Sequence, residues 1–180
     1  MAHPQQQNFV ANVKSVFPHF FSNTRVVEIG SLNINGTVRN FFENRKQYVG
    51  VDIGEGPGVD IVVEGQNYDA PSGSFDVAIS AECFEHNPYW VETFQNMIRL
   101  VRPGGLVIFT CATYGRAEHG TSRTDIGSSP LTCAKSWDYY KNLGEEDFKE
   151  HFNFEDLFII HKFSTNMVGI EDLYFWGIKR

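Results

Sequence analysis

Short apolar runs at residues 26–29, 48–52, 59–63, 75–80 and 106–111, each rich in Val, Ile or Phe, constrain the fold of this chain more than any other feature. Runs apolar on both alternating faces belong inside a sheet covered on both sides. Helical periodicity separates them at 37–44 and in "YWVETFQNMIRLV", where Val91, Phe94, Met97, Ile98 and Val101 share one face. Strand and helix therefore alternate, which a mostly parallel sheet with right-handed crossovers satisfies. Ligands in such sheets sit beyond the carboxyl ends of the strands. The runs "DLFIIHKF" and "DLYFWGIKR" are separated by "STNMVGIE", too short for a helical crossover, so the last strand is expected to run antiparallel. The expected fold class is α/β, a doubly wound, mostly parallel sheet of about seven strands with an antiparallel last strand.

At 180 residues and 42% hydrophobic content, one core and one domain over 1–180 are expected. Phe9, Val13, Val16, Phe17 and Phe20 recur at helical spacing, so residues 1–22 read as a helical cover. Residues 112–145 show no clear period, and a connection that long is expected to be functional, a loop and lid ahead of the short helix "GEEDFKEHF". The net charge of -7 disfavours nucleic acid held by surface charge. With no signal-like start and no bilayer-length apolar run, a cytoplasmic protein without a membrane partner is expected. The cysteines, Cys83, Cys111 and Cys133, lack any C-x-x-C pairing and read as reduced. Nothing in the pattern specifies an oligomeric state.

The turn Gly30-Ser31-Leu32-Asn33-Ile34-Asn35-Gly36 joins the first strand to the first helical pattern, and Asp52 closes the second strand. A carboxylate there can accept both hydroxyls of a ribose lying across the strand ends. Leu32 and Asn35 stand where a dinucleotide turn needs glycine, which counts against NAD and favours a nucleoside ligand without phosphates.

"VVEIGSLNINGTVRNFF", "YVGVDIGEGPGVDIVVEG", "GSFDVAISAECFEH" and "MIRLVRPGGLVIFT", taken in order and spacing, resemble the class I (Rossmann-like) S-adenosylmethionine-dependent methyltransferases. The resemblance implies S-adenosyl-L-methionine as cofactor, with Glu28, Gly30 and Ser31 at its methionine end. It further implies Asp52 at the ribose, Ile53 on the adenine face, Glu64, Gly65 and Gln66 along the adenine edge, and Ala81 and Glu82 at the pocket floor. Leu32 and Ile34 depart from the family's glycines, and Gly36 with a left-handed Asn would compensate. Glu85 and His86 resemble an acid-histidine pair near the transferable methyl, which makes His86 a candidate general base with an acidic limb near neutral pH. The competing reading is a histidine that packs or caps the next helix. Glu82 and His86 are four apart, but no further Cys or His stands at ligand spacing, so no metal is expected. Arg116, His119 and Arg123 in the long loop are expected to contact the acceptor, a small polar molecule such as a sugar or glycan precursor. Rival readings are a catalytically silent methyltransferase-like binding protein and an NAD-dependent oxidoreductase.

Overall fold

The strand at the centre of the molecule is β4 (Phe75–Ala81), buried at every position, between β1 (Arg25–Ile29) and β5 (Val101–Ala112). The computed structural model describes residues 3–180, so the first two residues of the 1–22 cover lie outside the described residues. β2 (Gln47–Asp52) and β3 (Ile61–Val62) extend the sheet on one side, and β7 (Asp172–Lys179) and β6 (Phe158–Asn166) on the other. The resulting order is β3-β2-β1-β4-β5-β7-β6. β1 to β5 pair in parallel, and β7 runs against both of its neighbours, as the short connection before it requires.

Side chains alternate across the strands and fill two cores. Val26, Val77, Ile79, Leu106 and Ile108 meet Val10 and Val13 of α1 (Pro4–Val16) on one face. Pro18 converts the end of this cover into a short 3-10 turn, and Phe17 packs edge-on against Trp176 at 4.9 Å. On the other face α2 (Trp90–Leu100) contributes Phe94 and Met97, and Phe109 stacks between Phe148 and Phe175 at 4.5 and 5.0 Å. Phe148 belongs to a later helix, Glu145–His151, the short helix expected from "GEEDFKEHF". Each such buried side chain contributes about 1.5–3 kcal/mol.

The sequence pattern fails at 37–44, where the structure has a single 3-10 turn, Arg39–Phe41. Thr37 Oγ1 accepts from Arg39 N at 3.1 Å and Asn33 Oδ1 from Gly36 N at 3.0 Å, so side chains take over backbone partners a helix would use. Phe42 then leaves in an extended conformation and stacks on Phe21 at 4.7 Å, so tertiary packing rather than helical periodicity explains the apolar spacing. Among the described residues no helix is long and apolar enough to cross a membrane.

Candidate active site

The carboxyl ends of β1, β2 and β4 open into a cavity of about 600 Å³, part of it continuous with solvent. Gly30 follows β1 with φ 77°, and a Cβ there would lie 2.6 Å from Cys83 Cβ, so this position needs glycine both for its dihedral and for its close approach. Asp52 ends β2; its Oδ2 accepts from Leu32 N at 2.9 Å and its Oδ1 from Ile53 N at 2.8 Å. Burial raises its pKa against these two bonds, and each oxygen keeps a second lone pair for a ligand hydroxyl. The roof comes from the long loop, as a 3-10 turn, Ile126–Ser128, followed by α3 (Pro130–Ala134). Leu131 reaches down from α3 so closely that a Cβ on Gly54 would lie 2.6 Å from it.

Of the residues expected around this cavity, Gly30, Asp52, Ile53, Gly65 and Glu82 line it. Ser31 stands behind the turn with a buried, unpartnered Oγ. Glu28, Glu64, Gln66 and Ala81 do not line it, for identifiable reasons. Glu28 falls on the same face of β1 as Val26, beneath α1, and accepts a hydrogen bond from Tyr48 Oη at 2.7 Å. Glu64 pairs with Lys135 at 2.7 Å and accepts from Gln66 Nε2 at 2.9 Å, tying the strand end to the roof. Ala81 is buried in the α1-side core. The left-handed residue of the first turn is Gly30; neither Asn33 nor Asn35 takes that role. Leu32 and Ile34, the departures from glycine, themselves line the cavity, as do Cys83, Asn87, Pro130 and Trp137, none of which the sequence singled out for this role.

Burial lifts the Glu28 carboxyl to about 7, the Tyr48 hydrogen bond opposing it. Its folded pKa thus exceeds its ordinary 4.5, the folded state binds the extra proton, and stability falls as pH rises from 4.5 through about 7. Glu28→Gln is expected to reduce the loss of melting temperature between about pH 5 and about pH 8 relative to the parent, with the affinity of the first cavity unchanged. An unaltered pH dependence would mean that Glu28 is ionised in the folded protein.

A second, polar cavity of about 1010 Å³ adjoins the first and shares Glu82, His86 and Ser128 with it. His3, Arg116, Glu118, His119 and Glu171 are among its walls. Glu82 adopts φ 52°, uncommon for a glutamate, and its carboxyl is pushed far up by burial and by Glu85 and Asp172. Arg116 Nη1 donates to Asp172 Oδ1 at 2.6 Å and lies 3.5 Å from Glu82 Oε2, so its charge is committed to buried acids. Arg123 lines neither cavity. It pairs with Glu118 and Asp138 at 2.8 and 3.1 Å and staples the loop to itself.

His86 sits where the cavities meet, in the turn Phe84–His86. Burial, with His119 and Arg116 nearby, pushes its pKa down to about 3. The ring is therefore neutral at neutral pH, and the acidic limb expected near neutrality moves far below it. The same low pKa makes it a weak proton acceptor. His119 and Tyr140 pack on it with ring centroids at 4.9 and 5.5 Å.

A methyltransferase-domain family model matches residues 1–156, most of the chain. The chain belongs to that family. Solved methyltransferases share its class I fold. Burkholderia thailandensis 1,6-didemethyltoxoflavin-N1-methyltransferase, with bound 1,6-didemethyltoxoflavin and S-adenosylhomocysteine, superposes with TM-score 0.62 at 14% identity over 97% of this chain and 80% of its own. The N-methyltransferase NodS of Bradyrhizobium japonicum, in complex with S-adenosylhomocysteine, gives 0.64 at 13% over 98% and 88%. Haemonchus contortus phosphoethanolamine N-methyltransferase 2, with phosphomonomethylethanolamine and S-adenosylhomocysteine, gives 0.64 at 16%, with 96% of this methyltransferase domain covering 52% of that chain. No curated protein sequence matches the chain significantly.

Proposed function

We propose that this S-adenosylmethionine-dependent methyltransferase modifies a small, polar, uncharged acceptor, such as a sugar or glycan precursor, held in the second cavity. The observation that carries the reading is the junction of a partly apolar cavity ending in Asp52 with a polar one, at Glu82, His86 and Ser128. The first suits an adenosyl ligand: Asp52 for the ribose hydroxyls, and Ile53 and Leu131 as apolar surfaces for the base. Bound there, the cofactor would supply an electrophilic methyl carbon; as the carbon–sulfur bond breaks and the bond to the acceptor oxygen or nitrogen forms, a neutral thioether is left and the acceptor's proton leaves to solvent in the polar cavity. The chain's own part is to orient the acceptor across the junction and to exclude water beneath α3.

Arg116 and Arg123 are both engaged with carboxylates, which argues against an anionic acceptor. Glu82, Glu118 and Glu171 instead offer acceptors to hydroxyl or amine hydrogens. The small acceptors bound in the Burkholderia and Haemonchus enzymes support a small-molecule reading. Incubation with methyl-labelled S-adenosylmethionine and a fractionated cell extract should place the label in the low-molecular-weight neutral fraction. Label confined to tRNA or protein would overturn the reading.

The roof should matter to the cofactor more than to the fold. Leu131→Ala is expected to weaken S-adenosylhomocysteine binding by about tenfold, the equivalent of about 1.5 kcal/mol of apolar contact, with the melting temperature unchanged. Calorimetry giving the parent's dissociation constant would show that α3 stands clear of the ligand.

A further inference from the structure

Glu85 is fully buried, and neither of its carboxylate oxygens has a hydrogen-bond partner. Among the described residues it forms no ion pair, unlike Glu82 and Asp172, which share His3 and Arg116. Beside it, buried His86 also leaves Nδ1 without a partner. The long loop brings His119 to the same point, and one oxygen of Glu85 and one ring nitrogen from each histidine lie within 4.8 Å of one another. A bare buried carboxylate costs several kcal/mol unless it is neutralised. Burial raises the Glu85 pKa, so a proton can remove the charge, but it leaves at least one carboxylate oxygen and His86 Nδ1 without a partner; a cation would meet the charge and the lone pairs together.

We propose that Glu85, His86 and His119 bind one divalent first-row transition cation, whose remaining coordination positions face the polar cavity and take an oxygen donor of the acceptor. Two imidazole nitrogens with one carboxylate suit such an ion better than Mg²⁺ or Ca²⁺, which prefer all-oxygen shells. Bonds of about 2.1 Å place the donors of a tetrahedral shell about 3.4 Å apart, so three donors within 4.8 Å of one another complete the site by closing about an ångström. His119, on the half-buried loop, can supply that movement. His86 and His119 both line the polar cavity, which gives the ion its open side. The neighbouring trio His3, Glu82 and Asp172 has similar spacing, but its charge is already met by Arg116, and Tyr174 Oη and Gln6 Nε2 donate to Asp172. Backbone bonding of Lys141 N to Glu85 O at 2.9 Å fixes the loop against the turn that carries two of the three ligands. Only the acceptor's place on the ion rests on the proposed function; the ion's binding does not.

The test uses the full chain, freed of metal with a chelator and titrated with Mn²⁺ alone by calorimetry and electron paramagnetic resonance, then with Zn²⁺. One equivalent should bind. His119→Ala and Glu85→Gln should each weaken it by about tenfold or more, while S-adenosylhomocysteine affinity in the same samples stays within about twofold. His119 is the decisive position, because its loop location makes loss of folding an implausible cause, and His161→Ala, far from the site, should bind as the parent does. A parent chain that binds neither ion below about 1 mM, or a His119→Ala variant that binds as the parent does, would overturn the proposal. Metal binding as described in a chain that ignores S-adenosylhomocysteine would sustain the ion site and sink the functional reading instead.

Discussion

Asp52→Ala is expected to weaken S-adenosylhomocysteine binding by about two orders of magnitude or more. Charge-assisted hydrogen bonds contribute about 1.5–3 kcal/mol each, and about 1.4 kcal/mol is a factor of ten, so losing two ribose contacts removes at least 3 kcal/mol. The substitution also frees Leu32 N and Ile53 N, both of which donate to this carboxylate, so the first turn loses its anchor as well. Asp52→Asn separates the two effects. It keeps one oxygen acceptor and nearly the same shape, and is expected to cost about tenfold by calorimetry. If Asp52→Ala binds as the parent does, the carboxylate supports the turn and nothing more.

Arg116→Met is expected to destabilise the folded chain by about 3 kcal/mol, a fall in melting temperature of about 6–12 °C for a protein of this size. Methionine keeps the apolar stem but withdraws the positive charge from Asp172, which is fully buried, and from Glu82 beside it. Uncompensated buried charge is the costly outcome, so adding Asp172→Asn to Arg116→Met should recover part of the loss. Arg123→Ala offers the contrast: its ion pairs are at the surface, and its melting temperature should match the parent's. Unfolding of Arg116→Met at the parent's temperature would restore Arg116 as a group free to meet the acceptor.

The strands and α2 were legible because burial on both faces forces continuous apolar runs, and one buried helix face forces the spacing of Phe94, Met97 and Ile98. The place of Asp52 beside the cavity was legible because it closes the second strand, and the strand ends are where such a sheet opens. The helix expected over 37–44 was not, since Phe42 is apolar for contact with Phe21 and not for a helical stripe. Glu28 could have been set aside from the alternation alone, because Val26 and Glu28 must face the same way. The pairing of His119 with Glu85 and His86 had no signature in spacing: it crosses the whole of α2 and β5 and depends on how an aperiodic loop folds back. The roof residues from Ser128 to Thr132 were hidden for the same reason.

The insertion of β7 between β5 and β6 sets an order of events while the chain is being made. Once the ribosome has passed Trp137, every residue that walls the first cavity has been synthesised. The polar cavity still lacks Gly169, Ile170 and Glu171, and β6 emerges with no strand to join, because its partner is β7 alone. Through that interval the outer edge of β5 is an open ladder beside Phe109, the kind of edge that pairs with the wrong chain. Slow docking of β7 would therefore leave that edge exposed while the polar cavity is still incomplete, and a chaperone covering it through this interval would decide how much folded chain is recovered.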